Sequence, residues 1–257
     1  MKKFMILIIS IIFLISCASK MQLIEVKNES IILKDDKYLY QDINVDIGYD
    51  FWGKNGIMQF YVFNKSNKPI YIDWKKSSFV YNDIKQSYWF DKDELKTNSY
   101  EKKYYDSFFK TINTNSKLYG SIYRPERISF IPPLSTIYNP LPYKILFNQL
   151  DMKNAIPVTI LSPILSEKTK NKLIKVLRKN FDNKNSPVIF RNFLTLSFKE
   201  NFEEEFYIDS TFWISEINLI DECYFSDQRQ IKNYDENKED IYYEKSILRK
   251  PNKFYSK

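Results

Sequence analysis

The side chains able to do chemistry are few in kind. The chain holds 32 Asp and Glu, two Cys and four Trp, and it holds no His. Without His there is no Ser-His-Asp triad, no Cys-His pair and no His-bearing zinc site. Four scattered Gly cannot build a Gly-rich phosphate loop. What is left is carboxylates around a cation, a carboxylate pair for glycoside hydrolysis, and aromatic rings as binding platforms. The row Asp42-x-Asn44-x-Asp46 has the opening of a calcium loop, yet its sixth place is Ile47 and its twelfth is Gly53. An EF-hand needs Gly and Glu there, so alternating carboxylates on a wet strand face are expected instead. Asp91-Lys92-Asp93-Glu94 lacks the Gly as well. No metal and no cofactor are expected. No local spacing nominates two carboxylates, so no catalytic residue is assigned, and a carbohydrate-active hydrolase stands second to a non-catalytic binding or assembly module.

The rings are sorted by strand alternation. Trp74 shares a face with Ile70 and Ile72 and belongs to a core; Trp89 fits either side. Trp52 shares parity with Asp46, Gly48 and Asp50. Trp213 shares parity with Tyr207, Asp209, Thr211 and Ser215, while Phe212 and Ile214 point the other way. Trp52, Trp213 and Tyr207 are therefore the candidate binding residues. A helix or a long connection lying over them would make them structural instead.

The most specific chemistry sits at Cys17. Lys2 and Lys3 precede Phe4 to Ile15, an almost wholly apolar run. It suits a signal-peptide core and is too short to span a bilayer. Leu14-Ile15-Ser16-Cys17 resembles the lipobox of bacterial lipoproteins. The resemblance implies cleavage before Cys17, diacylation of its thiol and acylation of its new amino group. Residues 1–16 would be the signal peptide, and several acyl chains make membrane release negligible. Ala18, where an Asp would favour inner-membrane retention, and the acid-free Ser19-Lys20-Met21-Gln22 imply the outer membrane, facing the periplasm, with surface exposure as the alternative. Cleavage would leave Cys223 as the one thiol, with no intramolecular disulfide and a buried, inert environment expected. It would also take Lys2 and Lys3, lowering the formal net charge from +7 to +5. Such an excess in an exported protein suits a membrane surface better than nucleic acid, and no nucleic-acid partner is expected.

These residues need elements to hold them. A hydrophobic fraction of 44% suffices for a core, and a mean hydropathy of −0.45 excludes a polytopic membrane protein. LIEV and IILK, between Leu23 and Lys34, read as a hairpin or as a spacer and first strand. Ile43, Val45, Ile47, Tyr49 and Phe51 alternate strictly with polar residues and Gly48. Gly53-Lys54-Asn55-Gly56 turns the chain into Met58, Phe60 and Val62. Closely spaced runs through Trp74, Phe79 to Tyr81 and Tyr88 to Phe90 continue the pattern. Together they predict a mainly β fold, an antiparallel β-sandwich over 17–225. A long loop is expected at about 91–117, and the four prolines of 132–142 confine that stretch to an edge or loop. A basic amphipathic helix is expected at about 166–181, capped by Ser166 and striped by Leu173, Ile174, Leu177 and Phe181, docked on the sandwich with its lysines in solvent, with anionic lipid headgroups as the alternative seat for its basic face. Residues 226–257 read as a charged tail with too little apolar content for a core.

Two stretches, Arg127 to Ser135 and Ser186 to Leu194 running on to Phe212, resemble envelope lipoproteins. The resemblance implies an immunoglobulin-like accessory sandwich, brings no activity, and leaves an envelope protein or glycan as the partner. If Cys17 is the acylated residue, Cys17→Ser abolishes incorporation of a palmitate analogue. It also moves the chain from the detergent phase to soluble or uncleaved forms; label kept by the variant would end this reading.

Overall fold

The computed structural model describes residues 19–90, 94–106, 111–123, 126–146, 148–162, 172–222, 229–235, 238–244 and 248–257. The signal segment, Cys17 and Cys223 lie outside the described residues. Twenty strands follow one another. The first eight are β1 (Lys20–Lys27), β2 (Ile32–Lys34), β3 (Lys37–Gln41), β4 (Val45–Asp50), β5 (Ile57–Asn64), β6 (Ile70–Asp73), β7 (Ser78–Tyr81) and β8 (Ile84–Ser87). Then come β9 (Glu94–Asp106), β10 (Thr111–Tyr123), β11 (Ile128–Ile131), β12 (Thr136–Tyr138), β13 (Tyr143–Lys144) and β14 (Ile156–Leu161). The last are β15 (Leu173–Asn180), β16 (Ile189–Ser197), β17 (Glu205–Asp221), β18 (Arg229–Asp235), β19 (Lys238–Glu244) and β20 (Lys253–Ser256).

Their pairing makes an antiparallel β-sandwich. One sheet runs β11-β6-β16-β17-β1-β20, with β7 and β8 beside β16 and with β15 and β14 beside β17. The other runs β12-β5-β4-β3-β2, with β13 also on β5. The turns follow local chemistry. Asp35-Asp36 and Asn82-Asp83 take positive φ, as two-residue hairpins of mirror-image turns require, and Asn55-Gly56 takes positive φ at the end of the longer β4–β5 connection. Alternation does the rest. Val45, Ile47, Tyr49, Phe51, Met58, Phe60 and Val62 are buried from one sheet. Ile24, Val26, Ile70, Ile72, Trp74, Phe190, Leu194, Leu196, Phe212 and Ile214 meet them from the other. Ile43 alone leaves the row: it sits in the turn before β4 and is exposed.

β17 organises the larger sheet. Its first half pairs with β16 and its second half lies between β1 and β15. A β-bulge separates the halves: Glu25 faces Glu216 and Val26 faces Ile214, so Ser215 has no opposite number. The extra residue flips the alternation. Ile208, Phe212 and Ile214 face the main core before it, Ile217 faces that core after it, and Ile220 turns to a second cluster with Met21, Leu23, Val176 and Leu248.

Four expectations are corrected. Leu173–Asn180 is a strand, not the body of a helix; Ser166 to Asn171 lies outside the described residues. The Leu173, Ile174, Leu177 spacing fits a helix, but Ile174 and Val176 also alternate. The edge of β17 beyond the bulge pairs with Leu177 to Asn180, and β14 pairs with Leu173 to Arg178, so strand pairing covers the whole segment. The loop expected at 91–117 instead contains most of a 13-pair ribbon of β9 on β10, polar enough in composition to hide its strand periodicity. LIEV and IILK do not form a hairpin with each other: β1 pairs with β17 and β20, and β2 with β3. Residues 226–257 are not a tail without structure. β18 pairs with β19, and β20 pairs with β1, which brings Phe254 into the main core with no exposure. One buried ring and a free sheet edge suffice where average composition is charged. Phe254→Ala is expected to cost about 3–5 kcal/mol by leaving a cavity, and Lys253→Ala about 0.5 kcal/mol or less. Denaturant melts of the two variants check this; equal midpoints would show that β20 contributes no core.

Candidate binding site

The three ring candidates do not converge. Trp213 is half-buried and lines a cleft of about 340 Å³ between the edges of the two sheets. β1 leaves β17 after Lys27, and the Asn28 side chain continues its line by donating to the Thr211 carbonyl at 2.6 Å. The same side chain accepts from Ser30 N and Ile31 N, which fixes the 28–31 turn as the cleft wall. Tyr40 forms another wall, and Asn183 donates to Glu29 at 3.1 Å. Tyr207 lies on the same side of β17, six residues or about 20 Å from Trp213. It is exposed but engaged: its ring stacks on Phe193 at 5.5 Å and its hydroxyl donates to Glu205 at 2.6 Å. Lys76 in turn holds the Glu205 carboxyl below its usual range. Trp52 is structural, packed edge-on against Tyr255 at 5.4 Å beside the second cluster.

A second site escapes sequence reading. On the outer face of the smaller sheet, register aligns Leu39, Gly48, Tyr61 and Tyr138 across β3, β4, β5 and β12. Gly48 is the reason a groove exists there. The phenol end of Tyr61 occupies the space above it, and a Cβ at position 48 would come within 2.1–2.5 Å of its Cε1, Cζ and hydroxyl oxygen. Tyr138, 72% exposed, meets Tyr61 edge-on at 6.1 Å. Together they line a groove of about 490 Å³, rimmed by Asp50 and Gln59, that continues into a hollow bordered by Lys37, Asp46 and Phe63. Burial raises the Tyr61 phenol above its usual range, and the Asp46 carboxylate adds to that. Beneath the groove, burial pushes the Tyr49 phenol up to about 12 despite hydrogen bonds from Ser210 and Asn192. Only the pairing of four strands assembles this row; the single legible sign was a Gly inside an otherwise strict strand pattern.

Catalytic pairing finds little footing in either place. Asp46 and Asp50 are four residues apart on one strand, about 13 Å, beyond the roughly 9.5 Å that a glycosidase pair spans. In the Trp213 cleft, Asp209 is paired with Arg191 at 3.4 Å and Glu29 is held by Asn183. Several polar residues of Arg127 to Ser135 and of Ser186 to Leu194 serve the fold. Arg127 clamps the buried Asp73 at 2.8 Å, Ser129 accepts the Trp74 indole N–H at 2.8 Å, and Ser186 accepts from Ile214 N at 3.0 Å. Among the described residues no group of three or more His, Cys, Asp or Glu could hold a metal ion, and no helix is long and apolar enough to cross a membrane.

Compared with known proteins, the chain matches no protein family, no curated protein and no solved structure. The adjacent rings of β17 give a sharp test of the two faces. Phe212 has no exposure and touches Tyr38, Tyr49, Phe51 and Phe190, so Phe212→Ala should cost about 3–5 kcal/mol. Trp213→Ala, at the half-open cleft, should cost about 1 kcal/mol. Thermal melts decide it, and coincident transitions would mean that the cleft is part of the core.

Proposed function

We propose that the chain is a lipid-anchored envelope lipoprotein, held at Cys17, whose sandwich is a non-catalytic binding module with the Tyr61–Tyr138 groove as its ligand face. The outer membrane, on its periplasmic side, is the location that the lipobox-like segment and Ala18 favour. The observation that carries the binding reading is the Tyr61 phenol packed over Gly48 next to an exposed Tyr138. A large ring left in water is a standing cost, and a ring already immobile loses little entropy when a ligand covers it. The floor is apolar and the rim polar. A pyranose ring fits this division, with its C–H face on the tyrosines and its hydroxyls toward Gln59 and Asp50, so an envelope glycan is the ligand class favoured over a protein.

The test uses full-length protein in detergent and insoluble envelope polysaccharide. The protein is expected to sediment with the polysaccharide and to release no reducing ends. Tyr138→Ala should weaken retention about tenfold, equivalent to about 1.4 kcal/mol. Gly48→Ala should do the same by lifting the Tyr61 ring, without loss of fold. Retention unaffected by both variants would remove the groove as the site. Release of reducing ends that Asp46→Asn or Asp50→Asn abolishes would establish the hydrolase instead.

A further inference from the structure

The point where the chain leaves the sheet toward Cys17 is also where the sheet is least finished. Strand pairing continues to the last described residue of that end, since Glu222 N donates to the Ser19 carbonyl at 2.7 Å. Only Ala18 separates Ser19 from Cys17, two residue steps with a reach of about 7 Å at most. An acylated Cys17 therefore leaves no linker, and the edge formed by Lys20 and Asp221 must stand at the headgroup layer.

At that same edge the β14–β15 hairpin carries exposed apolar side chains. Leu161 and Leu173 face each other in register and are 59% and 63% exposed. Leu177 lies opposite Leu219, so Leu173, four residues earlier, stands about two residue steps beyond the level of Asp221 and Lys20. The order β1-β17-β15-β14 at about 4.8 Å per strand puts both leucines within about 15 Å of Lys20 across the sheet. The charges around them are mainly positive. Lys20, Lys172, Lys175 and Lys257 are exposed, and Lys257 covers the Glu222 carboxylate with contacts of 2.8 Å to both oxygens. Apolar tips framed by lysines match a bilayer interface, where leucine enters the acyl boundary and ammonium groups meet anionic headgroups.

From this we infer that the Leu161–Leu173 hairpin end is a lipid-docking rim that seats the sandwich upright on the membrane holding its anchor. The inference rests on the reading of Cys17 as acylated. The opposite end of β17, at Glu205, then projects about 50 Å from the bilayer.

Full-length, acylated protein carrying Cys223→Ser is labelled with an environment-sensitive fluorophore at Leu161→Cys, Leu173→Cys or Lys172→Cys. The control is Glu200→Cys in the exposed β16–β17 turn. Each is reconstituted into phosphatidylethanolamine–phosphatidylglycerol vesicles with brominated acyl chains. Rim labels are expected to shift to the blue and lose most of their emission to bromine, while the Glu200 label does neither. The Lys172 position keeps the test valid if a leucine substitution disturbs the hairpin. Protein that is acylated and vesicle-bound yet unquenched at all three rim positions overturns the rim and leaves the anchor intact. Absence of acylation overturns both. Rim labels shielded in cell envelopes but bare on lipid vesicles would assign the face to a protein partner and overturn the lipid assignment.

Discussion

Asn192 has no exposure, and both ends of its side chain are used. Its amide donates to the Tyr49 hydroxyl at 3.1 Å, and its carbonyl accepts from the Tyr88 hydroxyl at 3.0 Å. Tyr49 comes from the smaller sheet and Asn192 from the larger, so this exchange ties the two layers at the centre of the core. The constraint behind it is general. An interior filled with rings gains area and dispersion, but each tyrosine brings a hydroxyl whose burial is costly unless it is bonded. One asparagine on β16, opposite Ser210 of β17, meets that requirement for two rings. Around it Tyr49, Phe51, Phe190 and Phe212 pack with centroids 4.9–6.0 Å apart, mostly edge to face. Sliding β16 by one residue would turn Asn192 out, take the partner of the Tyr88 hydroxyl away and leave the Tyr49 hydroxyl to Ser210, so the polar contact selects the register that the apolar contacts then fill.

The same sheet must also serve two environments along its length. β17 passes from the main core to the second cluster: past the bulge at Ser215 it keeps Ile217 on the main core and buries Ile220, from its other face, in the second cluster. The consequence is a molecule with distinct ends. One carries the N-terminal exit and the exposed leucines of β14 and β15. Toward the other, β17 stacks Tyr207 on Phe193 and closes through charged turns such as the Lys199, Glu203 and Glu204 cluster. The tyrosine groove lies on the outer face of the smaller sheet, away from the β14–β15 edge strands. The proposed anchoring and the proposed ligand contact would therefore use different surfaces.

Several parts of this arrangement were legible in the residues themselves. Alternation in Val45 to Phe51 and in Met58 to Val62 reports which side chains are inside, because a strand has no other way to bury every second residue. Asn55-Gly56 and Asn82-Asp83 mark their turns because few residue types tolerate positive φ in succession. The absence of His closes whole classes of catalysis before any fold is known. Trp74, sharing parity with Ile70 and Ile72, is buried as its neighbours imply.

Other parts exist only through tertiary structure, and for identifiable reasons. Leu173 to Asn180 carries a stripe compatible with helix or strand, and the open edge of β17 decides between them. Residues 226–257 are poor in apolar content by average, yet the vacant side of β1 gives Phe254 a place in the core. Trp52, polar by parity, is covered because Tyr255 of that same late strand reaches it. The tyrosine groove is a row across β3, β4, β5 and β12, and no periodicity along one strand can report what lies beside it. Local rules act through neighbours in the chain and determined the strands, turns and faces. Pairing between distant segments depends on which edges are left unsatisfied after the rest has assembled, and only the folded structure settles that.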